Sequence, residues 1–110
     1  MRILFFFVLA GALLWAGDHE AALYERGVRL VKAGKWEQGL LTLETLVRAY
    51  PKTTLRGPAE AAQLFGRAQM REEEGKREAA LLTWETLTRV YPKSEFAERA
   101  RKEMERLAGK

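Results

Sequence analysis

The strongest constraint on what this chain can fold into is a duplication. Residues 34–52 recur as residues 75–93, and thirteen of the nineteen paired positions are identical. The shared text opens on Gly-Lys (Gly34-Lys35, Gly75-Lys76) and runs through Leu-Leu-Thr-x-Glu-Thr-Leu. It closes on Tyr50-Pro51-Lys52 and Tyr91-Pro92-Lys93. A period of 41 lies in the range of stacked repeats, where one unit cannot bury its apolar face without a neighbour. Such arrays generally hold partners and seldom carry out chemistry.

Between Glu20 and Leu107 the apolar residues fall at helical spacing in five blocks, and no strand alternation competes. The first, over 18–33, places Leu23, Gly27, Leu30 and Val31 on one face, and Gly34 ends it. The second, over 36–50, aligns Trp36, Leu40, Leu43, Leu46, Val47 and Tyr50 until Pro51 stops it. The third opens at Gly57-Pro58, where proline suits a first helical turn, carries Ala61, Leu64, Phe65 and Ala68, and stops at Gly75. The fourth, over 76–91, repeats the second with Ala80, Leu81, Trp84 and Leu87. The fifth starts after Ser94, a good N-cap. It aligns Phe96, Ala97, Ala100, Met104 and Leu107 against a charged outer face, the composition of a helix that closes a stack.

The first sixteen residues stand apart. Met1-Arg2 is a minimal basic start, and residues 3–16 are apolar without interruption until charge returns in Gly17-Asp18-His19-Glu20. A spanning helix needs about 20 apolar residues, whereas a run of roughly 7–15 followed by small residues is a secretory signal. Residues 1–16 therefore read as a signal peptide, and 18–108 as one helical domain that is periplasmic or otherwise exported. Cleavage after Ala16 leaves Leu14 and Ala16 at the enzyme's subsites. Cleavage after Ala12 fits small residues better but leaves Leu13-Leu14-Trp15 on the product. The alternative is an uncleaved anchor that tethers the domain to a membrane.

There is no cysteine, so disulfides and thiolate metal sites are excluded and the fold stands on packing alone. The formal charge is +4, with basic and acidic residues interspersed, which describes a solvated surface and not a nucleic-acid stripe. Ser94 is the only serine, His19 the only histidine, and no glycine loop could cradle a phosphate. The expectation is a non-enzymatic protein without a cofactor.

Two helices joined at a Gly-Lys turn, small residues at Gly27 and Gly39 (Ala68 and Ala80 in the second unit), large apolar Leu43 and Trp84, and the terminal Pro51 and Pro92 resemble tetratricopeptide repeats. The long helices ending in Tyr-Pro-x-Ser/Thr are similar to the subset seen in BamD-like and CpoB-like bacterial envelope proteins. That resemblance implies an all-α, right-handed stack of helical hairpins, here two repeats plus a capping helix, whose concave face binds protein segments. Three departures stand out. Arg71 and Arg77 replace the apolar Leu30 and Trp36, which predicts a less well sealed second unit. Only two full repeats are present, and the lipidated cysteine of BamD-like proteins is missing.

If the first and third helices line the concave face, Tyr24, Val28 and Lys32 project beside Phe65, Gln69 and Glu72. These six are the candidate site for a peptide or helical segment of a partner protein. The alternative for Tyr24 and Phe65 is packing against the neighbouring hairpin. Trp36, Trp84, Tyr50 and Tyr91 sit at core-facing places. The run Arg71-Glu72-Glu73-Glu74 reads as a solvated helix end, because consecutive helical residues diverge. A chain that begins at Gly17 after cleavage carries Gly17-Asp18-His19, which resembles the amino-terminal copper and nickel motif. His19 is then a metal ligand, and otherwise a solvated tip.

Overall fold

The computed structural model describes residues 17–109. The proposed signal or anchor, residues 1–16, lies outside the described residues. Five helices follow one another: α1 (Asp18–Lys32), α2 (Trp36–Ala49), α3 (Arg56–Glu73), α4 (Arg77–Val90) and α5 (Ala97–Ala108). Each packs on the next, and α1 also packs on α3. Two antiparallel hairpins, α1–α2 and α3–α4, are therefore stacked with α5 closing the far end. This is the all-α hairpin stack with a terminal cap that the sequence predicts.

Each hairpin turns on a glycine. Gly34 and Gly75 have φ of 86° and 80°, a region where a side chain would be strained. Both turns close in the Schellman pattern. Lys35 N–H reaches Leu30 O and Gly34 N–H reaches Val31 O, while Lys76 and Gly75 repeat this on Arg71 and Glu72.

Within a hairpin the helices touch through small residues. A Cβ on Gly39 would lie 2.5 Å from Val31 Cγ2 and 2.9 Å from Val31 N, so no side chain fits that crossing. The second hairpin has Ala68 and Ala80 at the equivalent places, both fully buried, with Trp84 where the first has Leu43. Two methyls open the crossing, and the larger ring fills it. The core then runs through Val31, Leu43, Leu46, Phe65, Trp84, Leu87, Phe96 and Leu107, all buried. Trp36, Tyr50 and Tyr91 pack partly buried against it, as their positions imply.

The joints between repeats are also duplicated. Thr53 Oγ1 accepts from Leu55 N–H at 3.1 Å, and Ser94 Oγ accepts from Phe96 N–H at 3.1 Å. Leu55 and Phe96, the repeat-equivalent residues that follow, both drop into the core at 2% and 4% exposure. Ser94 thus shapes a turn ahead of α5 instead of capping it, and the helix starts at Ala97.

The arginines expected to leave the second unit less well sealed are both engaged in hydrogen bonds. Arg71 donates to Thr83 Oγ1, and an Arg77 guanidinium N–H donates to Leu107 O at the end of α5. Both replace apolar sealing with hydrogen bonds, and Arg77 ties the cap's last turn to the start of α4.

Candidate partner-binding groove

Tyr91 ends α4, and Pro92 cannot continue a helix, so the chain turns sharply across the first turns of α3. This leaves an open groove of about 520 Å³. Pro58 and Ala61 of α3 form one wall, Val90, Tyr91 and Pro92 another, and Tyr24 of α1 with Phe96 close it. Lys93 and Glu95 stand on its rim. Val90 is 48% exposed, so its side chain is open to a ligand in the groove.

The walls are fixed by polar ties. Tyr91 donates its hydroxyl to Glu60 Oε1, and Arg56 contacts Glu60 Oε2 at 3.5 Å while donating to Pro51 O at 2.8 Å. Burial, then the hydrogen bond and negative charge of Glu60, push the Tyr91 phenol up to about 12. It therefore stays a neutral donor at physiological pH. The Tyr24 phenol is also raised, first by burial and then by the nearby Glu95 carboxylate.

A counterpart exists one repeat earlier. Ala49, Tyr50, Pro51, Lys52, Thr53 and Thr54 line a second, more polar hollow with Glu20. Each of these residues precedes its equivalent in the first groove by 41 positions, and Glu20 stands where Ala61 does. The duplicated loop therefore makes both hollows. The groove beside the cap differs in having Ala61 in place of Glu20 and closure from Tyr24 and Phe96.

The structure divides the six candidate residues. Tyr24 lines the groove half-buried, and Val28 packs beside the core. Lys32 is exposed, 2.8 Å from Glu95, with its Nζ 5.7 Å from the Phe96 ring centre. Phe65 is 6% exposed and takes the packing alternative, between Trp84 (ring centres 5.6 Å apart, edge-on) and Phe96 (4.8 Å). Gln69 is half-buried on α3. Glu72 is not part of a solvated helix end: it accepts from Trp84 Nε1–H at 2.7 Å and from Arg106. Glu73 and Glu74 are exposed, as expected of that run. His19 is exposed on the first turn of α1, and among the described residues no group of three or more His, Cys, Asp or Glu could hold a metal ion.

Pro58, Ala61, Val90 and Phe96 were not legible as groove residues. Their only signal was the duplicated Tyr-Pro-Lys loop, which marks a joint without showing that it is hollow.

The architecture defines the class: a helical-hairpin repeat scaffold, built to present surface. Comparison with protein-family models matches the tetratricopeptide repeat over residues 11–53, which covers the first hairpin. With the second hairpin its duplicate, both units of the chain are similar to tetratricopeptide repeats. Repeats of this family are non-catalytic and generally mediate protein–protein interaction. Comparisons with curated proteins and with solved structures give no significant match.

Proposed function

We propose that this protein is an exported adaptor of the cell envelope that holds a segment of a partner protein in the Tyr24–Val90–Phe96 groove. The observation that carries it is an open, aromatic-lined hollow with an exposed Val90, placed where two repeats and the cap meet. Amphipathic aromatics around an apolar floor suit capture of a short apolar stretch, with Lys93 and the Lys32–Glu95 pair steering polar flanks. Export rests on the sequence of residues 1–16, which also supports the alternative of a membrane-tethered structural protein. The likeness to BamD-like and CpoB-like proteins suggests the envelope as the setting. Copper or nickel capture at His19 is a lesser proposal that applies only to a chain beginning at Gly17.

The test is a pull-down of the native partner with Val90→Asp and, separately, Lys93→Glu. Both residues are exposed, so the helical signal and melting temperature should change little. Val90→Asp should reduce recovery at least tenfold. Unchanged recovery from Val90→Asp would remove the groove as the binding site.

A further inference from the structure

Three of the positions that the sequence offers to a partner are already engaged by the chain's own last helix and its entry turn. Phe96 covers Phe65, Lys32 pairs with Glu95 and lies over the Phe96 ring, and Arg106 reaches Glu72. Arg99 adds its guanidinium 5.7 Å from the Phe65 ring centre. This is how an amphipathic helix docks in a groove: apolar anchors below and charged residues at the edges. Besides these contacts, α5 is held by partly buried Met104 and by the Arg77 hydrogen bond to Leu107 O. Of the buried anchors Phe96, Ala97, Ala100 and Leu107, two are alanines. The pairs that join this segment to the hairpins, Lys32–Glu95 and Arg106–Glu72, have cations and Glu95 between 44% and 54% exposed, where ion pairs are individually weak. A terminal element held this way is a natural unit of partial opening.

We infer that α5 with its entry turn is a resident ligand: it occupies in cis a helix-binding face made by α3 and α4 with Lys32 of α1 at its edge, and that face accepts in trans an amphipathic helix of the same chemistry when α5 lifts away. The external helix would carry an aromatic residue, apolar residues one, four, eight and eleven positions later (as Phe96, Ala97, Ala100, Met104 and Leu107), and flanking arginines. This goes beyond the groove reading and opposes it. Phe96 and Glu95 line the groove, so a groove ligand holds α5 down, and each ligand weakens the other by the same factor. The tether gives α5 an effective concentration of roughly millimolar, which keeps the face closed in the resting protein.

The probe is a fluorescein-labelled synthetic peptide of residues 94–109, added to the full-length protein. Glu95→Lys opposes Lys32 from the α5 side and leaves the face intact for the wild-type probe, so it should tighten probe binding about three- to tenfold by raising the open fraction. Amides of α5 should exchange faster by the same factor, with α2–α4 unchanged. Adding Lys32→Glu restores the pair with reversed polarity and should return α5 exchange toward wild type, while a probe carrying Glu95 loses its gain in binding. Arg106→Glu, opposed to Glu72 and Glu103, repeats the test at the other end of α5. The inference is overturned if α5 exchanges in step with α2–α4, or if neither variant changes probe binding. Probe binding lost on Val90→Asp would also overturn it, since that places the peptide in the groove and leaves the groove reading standing.

Discussion

Trp84 and Glu72 show how much one side-chain pair decides here. The indole is fully buried, and its only polar atom reaches the Glu72 carboxylate, which also takes the charge of Arg106. Glu72→Ala leaves a buried N–H without that acceptor and should cost about 1–3 kcal/mol in denaturant melts, while Glu73→Ala next to it should stay within about 0.5 kcal/mol. Equal effects would mean the hydrogen bond contributes nothing. Tyr91 gives a pH signature. Its folded pKa of about 12 lies above the ordinary value of 10.0, so the stabilisation is complete below pH 10 and lost as pH rises towards 12. The melting-temperature difference between wild type and Tyr91→Phe should therefore shrink across that window. A difference that stays constant would show that the phenol makes no special bond to Glu60.

Among the elements, the two hairpins share a sequence but not a tolerance. Gly39→Ala drives a methyl into the Val31 backbone and should cost about 1–3 kcal/mol, with α1–α2 amides losing protection first. If it stabilises the protein, as an alanine in an open helix would, the close crossing is wrong. All five helices were legible because glycine, proline and apolar spacing agreed at every boundary but one. The exception, Ser94, serves a turn whose geometry depends on Phe96 finding Phe65, a contact between residues far apart in sequence. Phe65 and Glu72 were assigned to the binding face because helical phase places them beside α1. Phase says which way a residue points, but not that α5 lies across that direction. Arg71 and Arg77 appeared as defects for the same reason, since their acceptors Thr83 and Leu107 come from other elements.

At the scale of the molecule, the two described ends of the stack differ. Phe96 and Leu107 seal one end, and at the other α1 carries Glu25 and Arg29 where α3 has Gly66 and Met70. Expressed in a bacterium from its own start, the protein should be recovered outside the cytoplasm and about 1.5–2 kDa smaller, the loss a signal of this length implies. A soluble full-length cytoplasmic product would rule out export. The central claim, that the joint between the second repeat and the cap holds a partner, is tested most directly by photo-crosslinking from position 90 in the native cell. Leu82, 64% exposed on the same helix, serves as the control position. The account predicts one dominant adduct from position 90 that is lost with Lys93→Glu and absent from position 82. Equal labelling from both positions, or an adduct from position 82 alone, would contradict it.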